Sequence, residues 1–533
     1  MSSKSRKFKS SVRFTGVGVD DDLFSFTEPS TPNISQQAEQ LKKTFSFDTL
    51  YKLSQDTKHR NDLQRRVLSS VWRPKNQKPR KPQDFERLLV FATRGAARTF
   101  MLTFGMRWML NVVLAAVTVI KKGFSKQLLK KAFFSAEPLR FGLQFGIFVW
   151  LWRFTHHALR IKDGEHKRWH AWLAGAVSSL GSLAETRANR LALGQQLTVR
   201  GLQGLYRSCK ARNWISIPHG EFVIFGLACG QIMYAWIMSP DTIPKAYNDW
   251  IQQASKVPAE AIPMHRQLVR TGRYDPQTLL TSLTKRVGDQ PNAIQSSPND
   301  QNPTPKNKLR LLKMLQDSQS SLSHSNSSST KLLPYLPPAV LNPWIEGILP
   351  MAVERFYMIF LDILPVYASL HFIPALTLKR KQFQHDPGEA VLRTTLSSFR
   401  SAAFLSTFVV IYHTWFSSKH ALYRLYGSDL PRSLSSFLVS KQSLWVGGFL
   451  TCAALGVEER KRRSELAMYV LPKGMESAWT MARRKHWIPH IPLGPELLVA
   501  FGTASLMQAY THEEAHVMSG LVHTLIYQFI GNV

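Results

Sequence analysis

Apolar residues along this chain gather into long blocks, and the polar stretches between them hold most of the charge. The first set covers about Arg98 to Ile120 (with Arg107 inside it), Leu139 to Leu159, Trp169 to Ala184 and Phe222 to Met238. A less apolar stretch from Asn189 to Tyr206 lies between the last two. The second set covers about Trp344 to Leu378, Ala402 to Phe416, Leu444 to Val457 and Leu497 to Tyr510. The tail from Val517 to Ile530 reads as one more helix, or as a helix lying at a membrane interface. Most of these blocks suit helices crossing a hydrocarbon core about 30 Å thick. None alternates with period two, so strands are not expected.

The pattern predicts an all-α integral membrane fold, with two repeated bundles of four to five transmembrane helices joined by a disordered linker. Residues 1–90 form a basic, largely disordered N-terminal region, with one amphipathic helix expected over Phe45 to Trp72. The first membrane repeat spans 91–255, the linker 256–337 and the second membrane repeat 338–533. Ser, Asn, Gln and Pro dominate the linker, a composition too polar to bury a core.

The repeat is visible in the residues. Trp172 to Ile215 and Trp445 to Ile488 align without a gap at a constant offset of 273. Trp172 then matches Trp445, Gly175 matches Gly448, and Gly201 matches Gly474. Between them the motif Glu-x-Arg-x-x-Arg recurs, as Glu185, Arg187 and Arg190 and as Glu458, Arg460 and Arg463. A second gapless stretch pairs Arg140, Phe148 and Val149 with Arg400, Phe408 and Val409. Duplication and fusion of one unit accounts for both. Duplicated halves are common in proteins that carry something across a membrane.

Charge narrows the class. The formal net charge of +33 comes from Lys and Arg clustered at the ends of apolar blocks, such as Lys121, Lys122 and Lys126, or Lys379, Arg380 and Lys381. That placement points to anionic lipid headgroups as partner rather than nucleic acid, for which no recognisable module is present. Three cysteines, Cys209, Cys229 and Cys452, without a CxxC pair, argue against a disulfide framework or a structural zinc site. The stretch from Met1 to Arg13 loosely resembles a mitochondrial presequence, but Asp20, Asp21 and Asp22 follow it, and a solvated basic tail is the reading preferred.

The stretch Trp172 to Tyr247 resembles the transmembrane protein 135 family, and more distantly peroxisomal membrane protein 4, both placed near the Tim-type translocase superfamily. The likeness rests on Ala174-Gly175 opening a helix, a second helix leading to Tyr206, and the segment Ser239 to Tyr247, which is similar to a family Pro-x-x-x-Pro-x-x-Tyr pattern. The motifs fall in that stretch, and the wider likeness covers about 150 residues of the first half well and the second half weakly. Animal members carry a cysteine-rich N-terminal region, whereas no cysteine precedes Cys209 here. The resemblance implies a peroxisomal or mitochondrial membrane protein concerned with lipid handling and organelle dynamics, with no established enzyme chemistry.

Two readings of the charge motif compete. Charges within a span cost roughly 2.5–3.5 kcal/mol each, so the motif is either a polar seam between the repeats or a solvated turn. The solvated turn avoids that cost. Gly142 and Gly146, and Gly226 and Gly230, form GxxxG pairs that let helices approach closely. His512-Glu513-Glu514-Ala515-His516 matches the H-E-x-x-H zinc signature, though no third ligand beyond His523 follows. His156, His157, His166 and His170 are fragments of a di-iron histidine pattern. No catalytic set, cofactor or metal is assigned. Two function classes stay open: a non-enzymatic membrane protein handling lipid or small solutes or organising an organelle, and a histidine-dependent membrane metalloenzyme (zinc peptidase or di-iron lipid oxidase).

Overall fold

The computed structural model describes residues 82, 84–122, 133, 135–165, 167–258, 260–271, 303–323, 338–378, 385–489, 491–513 and 520–531. Contacts divide the chain into Met1–Gln77 and Lys78–Val533. The first unit, and with it the helix expected over Phe45 to Trp72, lies outside the described residues. The second unit is helical, with no strand among the described residues.

Helices α1 (Phe85–Lys122) and α2 (Ala136–Asp163) pack along each other. Gly164 ends α2 in the left-handed region (φ 70°) and returns its N–H to the Arg160 carbonyl, the usual use of a C-terminal glycine. Then come α3 (Arg168–Ser178), a 3-10 turn (Ser179–Ala184), α4 (Arg187–Ala211) and α5 (Gly220–Met238). Thr186 caps α4 by accepting the Asn189 N–H. Three further helices are α6 (Lys245–Ser255), α7 (Ala261–Thr271) and α8 (Pro305–Ser323).

The second half runs α9 (Ile348–Leu378), α10 (Pro387–Tyr426), α11 (Arg432–Val439), α12 (Gln442–Leu450), a 3-10 turn (Thr451–Gly456), α13 (Arg460–Arg484), α14 (Gly494–His512) and α15 (Gly520–Ile530). Pro387 opens α10, where its missing N–H has no intrahelical partner to lose. α9 and α10 pack along each other as α1 and α2 do.

The main partners of α5 are α12 and α13, and the main partners of α14 are α3 and α4. Each of these 19-residue helices thus crosses to elements distant in sequence. The crossings are tight. A Cβ on Gly175 would stand 2.8 Å from the Ala504 Cα, and one on Gly448 would stand 2.8 Å from the Cys229 carbonyl oxygen. Gly201 meets the Gly502 carbonyl and Gly474 meets the Ala228 backbone in the same way. Backbone details agree at or beside offset positions: Asn213 and His486, at the same offset, both have positive φ (58° and 56°), and His219 and Leu493, one residue out of that register, both have φ 53°.

Where α4 meets α13, Arg200 pairs with Glu465 at 2.7 Å, and Gln203 and Arg207 both reach the Ser464 hydroxyl. Of the GxxxG glycines, Gly142 and Gly146 face Phe100 of α1, while Gly226 faces Phe449 and Gly230 faces Trp445 of α12.

The expectation of disorder over 256–337 is corrected at two places. α7 and α8 are helices, and Ile262, Met264, Leu268, Leu311 and Met314 are buried in the same apolar core as Trp236 and Leu444. Their apolar residues recur at helical spacing, and the average composition concealed that stripe. Residues 272–302 and 324–337 lie outside the described residues.

Burial of α7 has a consequence for acid stability. Neither His265 ring nitrogen has a hydrogen-bond partner, and the ring packs edge-on against Phe416, with His420 and Lys419 beyond it. Desolvation first, and then the Lys419 ammonium, depress its pKa to about 3. The ring stays neutral in the fold, whereas the unfolded chain gains a proton below about pH 6.5. Stability from this residue is therefore intact above pH 6.5 and lost as pH falls towards 3, by about 2 kcal/mol at pH 5. His265→Phe is expected to flatten that dependence in thermal melts between pH 7.5 and 5. An unchanged slope would refute the assignment.

Three helices among the described residues are long and apolar enough to cross a membrane: Gly220–Met238, Ile348–Ile373 and Pro387–Tyr426. The middle one stands out, because only 6% of its apolar window is buried. Leu349, Leu361, Leu370 and Ile373 on it are each 60% exposed or more.

Candidate functional site

A cavity of about 700 Å³ lies among α5, α6, α9, α10 and α13. Its walls follow helical spacing. α5 supplies Phe225, Cys229, Ile232, Met233 and Trp236, and α10 supplies Phe404, Leu405, Phe408, Val409, Tyr412 and His413. Ile363, Val366, Tyr367 and Leu370 come from α9, and Leu466, Tyr469 and Val470 come from α13. The α6 side carries Tyr247, Trp250, Ala254 and Ser255. Trp250, Val366, Leu370 and Tyr469 are also exposed, so the cavity reaches the surface beside the bare face of α9. No carboxylate, Lys or Arg lines it among the described residues. The buried Tyr412 hydroxyl has no hydrogen-bond partner. Such a lining suits an apolar guest with few polar atoms, within the size range of small-ligand sites.

Val149, Trp152, Leu506 and Met507 pack against Ile526 and Ile530 of α15. Arg153 fixes that helix by donating to the Ile530 carbonyl at 2.7 Å and the Phe91 carbonyl at 3.1 Å.

The charge motif behaves differently in its two copies. Arg187 and Arg460 are exposed. Glu185 is half-buried and accepts from the Asn189 amide at 3.0 Å. Arg190 pairs with Glu496 at the start of α14, and the backbone N–H there, together with Arg190, holds the Glu496 carboxyl below the usual range. Arg463 instead lies over the Phe222 ring at 5.4 Å and donates to the Glu458 and Gly456 carbonyls. Glu458 is 3% exposed. It accepts from Ser401 at 2.9 Å and lies 3.5 Å from Arg462. Arg462 in turn donates to Ser401 at 3.0 Å and rests against the His371 ring, 3.2 Å from Nε2. A seam between the repeats would bring Glu185 to Arg460 or Arg463 and Glu458 to Arg187 or Arg190; these residues instead take the local and cross-helix partners just described.

Sequence reasoning missed Arg462, His371 and Ser401. Arg462 aligns with Asn189, so a search for identities between halves passes over it. Its position four residues after Glu458 was the available signal.

The histidines are dispersed. His170 bonds Asp163 at 2.8 Å, and this bond, with Lys167 nearby, lowers the Asp163 pKa. His156 stacks on Trp152, and His157 meets Phe91 edge-on. His166 lies outside the described residues. In the H-E-x-x-H segment α14 stops at His512, and Glu513 is extended (φ −107°, ψ 157°). The Glu513 carboxylate is bound to Arg212 at 2.5 Å, and His523 stands beside Tyr510. His516 lies outside the described residues. Comparison with protein-family models, curated proteins and solved structures returned no match.

Proposed function

We propose that this is a polytopic membrane protein, made of two copies of one unit that exchange their last long helices, and that it holds a lipid between them. The observation that carries the reading is the cavity beside the bare face of α9. An apolar face this exposed is costly in water and costs nothing in hydrocarbon. A cavity opening on that face receives guests from the bilayer rather than from solution. Support for the duplication comes from the 273-residue offset, the matched glycine crossings and the matched positive-φ residues. Placement in a peroxisomal or mitochondrial membrane, with a part in lipid handling or organelle organisation, rests on the sequence resemblance alone.

The test is extraction followed by lipid analysis. The full chain is expected to resist alkaline carbonate and to co-purify with stoichiometric lipid visible by native mass spectrometry. Ala254→Trp, which fills the cavity, should remove the lipid and leave membrane retention intact. Release into the carbonate supernatant would sink the membrane assignment. Lipid retained equally by Ala254→Trp would sink the cavity as its seat.

A further inference from the structure

The cavity has two ends along α9, and they differ in charge. Near one end Asp362 and Lys256 form a neutral pair. At the other stand His371, Ser401, Glu458 and Arg462. Each of the last cluster's helices also lines the cavity. His371 is four residues beyond Tyr367, Ser401 is four before Leu405, and Arg462 is four before Leu466. Residues four apart share a helix face, so the cluster sits one turn beyond the apolar wall on all three helices.

The balance of charge there is positive. Arg460, Lys461, Arg462 and Arg463 occupy the first turn of α13, where the helix dipole already disfavours cations. Glu458 is the buried counter-charge, at a long 3.5 Å from Arg462. Arg462 keeps 40% of its side chain exposed and retains N–H groups for another acceptor.

We infer that the cavity takes a single lipid with an anionic head, its acyl chain along the α5–α9–α10 wall and its carboxylate or phosphate on the N–H groups of Arg462 that Ser401 and His371 leave free. This rests on the lipid-holding reading above. Glu458 acts as a positioning residue: it holds Ser401 and Arg462 in place and competes with the incoming anion.

The experiment is a native mass-spectrometric titration of the full chain in detergent, with lysophosphatidate and with the monoacylglycerol of the same acyl chain. Lysophosphatidate is expected to bind about tenfold tighter or more, since charge-assisted bonds to a guanidinium are strong. Arg462→Gln should abolish that preference, whereas Arg462→Lys keeps part of it. Glu458→Gln should tighten lysophosphatidate alone, a result that a purely structural role would not give. Ala254→Trp should remove both lipids. Equal binding of the two lipids, unaltered by Arg462→Gln, overturns the head-group assignment and spares the cavity. Failure of both lipids to bind the native chain overturns the cavity itself. Displacement of lysophosphatidate by an equal concentration of inorganic phosphate means a free-anion site and also overturns the inference. If Arg462→Gln does not fold, the native comparison and Glu458→Gln decide.

Discussion

Arg355→Met is expected to lower stability by about 3 kcal/mol, read as a fall in unfolding temperature in detergent. Arg355 has no exposed surface. Its guanidinium donates to the Asn342 side-chain oxygen from Nε (3.2 Å) and Nη2 (2.5 Å), and from Nη1 to the Lys256 carbonyl at 3.0 Å. It also lies over the Trp344 ring at 4.7 Å. One residue thus joins α9, the segment before it and the turn after α6. Hydrogen bonds to a charged group contribute about 1.5–3 kcal/mol each, and acceptors left bare in the interior add to the loss. Removing a buried charge offsets part of this, which is why the net is smaller than the sum. Arg355→Lys should fail similarly, because an ammonium supplies neither the fork nor the flat face. Arg393→Met is the control. Arg393 forms an exposed pair with Glu389, and its loss should cost less than about 1 kcal/mol. If both methionine variants melt alike, Arg355 does not hold these segments together.

Valine at Gly175 or at Gly448 is expected to prevent close packing of the crossed helices. In each case the first added carbon falls 2.8 Å from a backbone atom, so no rotamer relieves the clash. Overpacking of a single group costs about 1–3 kcal/mol, and the branched carbons of valine add to it. The two sites lie in separate crossings, so the double variant should show roughly the sum. We expect the single variants to melt lower and the double variant to aggregate on size-exclusion chromatography. Gly105→Val, with open space around it, should behave as the native chain. Normal behaviour of the Gly175 and Gly448 variants would show that these crossings are looser than described.

Parts of this architecture were legible in the residues. The helices could be read from the apolar blocks, and the glycines matched at offset 273 stand at the crossings. What pattern cannot give is the partner of each face. An apolar stripe on α5 is equally content against α4 or α13, so its packing on distant helices was invisible. α7 and α8 were hidden because short amphipathic stripes were averaged into a Ser- and Gln-rich stretch. The cavity wall is legible face by face, as Phe225, Cys229, Ile232 and Trp236 on one helix, but closure by five helices is a tertiary fact. Glu458 was singled out for its identity with Glu185. The residues that engage it were missed because the two aligned stretches differ there: Asn189 accompanies Glu185, and Arg462 accompanies Glu458.

The crossing of α5 and α14 sets an order on biosynthesis. α5 leaves the ribosome well before α12 and α13 exist, and α3 and α4 wait for α14. Thr198 meets the Leu498 carbonyl across 300 residues, and Arg190 meets Glu496 across 306. Neither half can finish its own packing while it is the only one made, so the nascent chain presents open grooves until translation nears its end. The same interlock means that two fragments, cut between α8 and α9 and made together, have all the contacts needed to find each other, whereas either fragment made alone has lost its clasp.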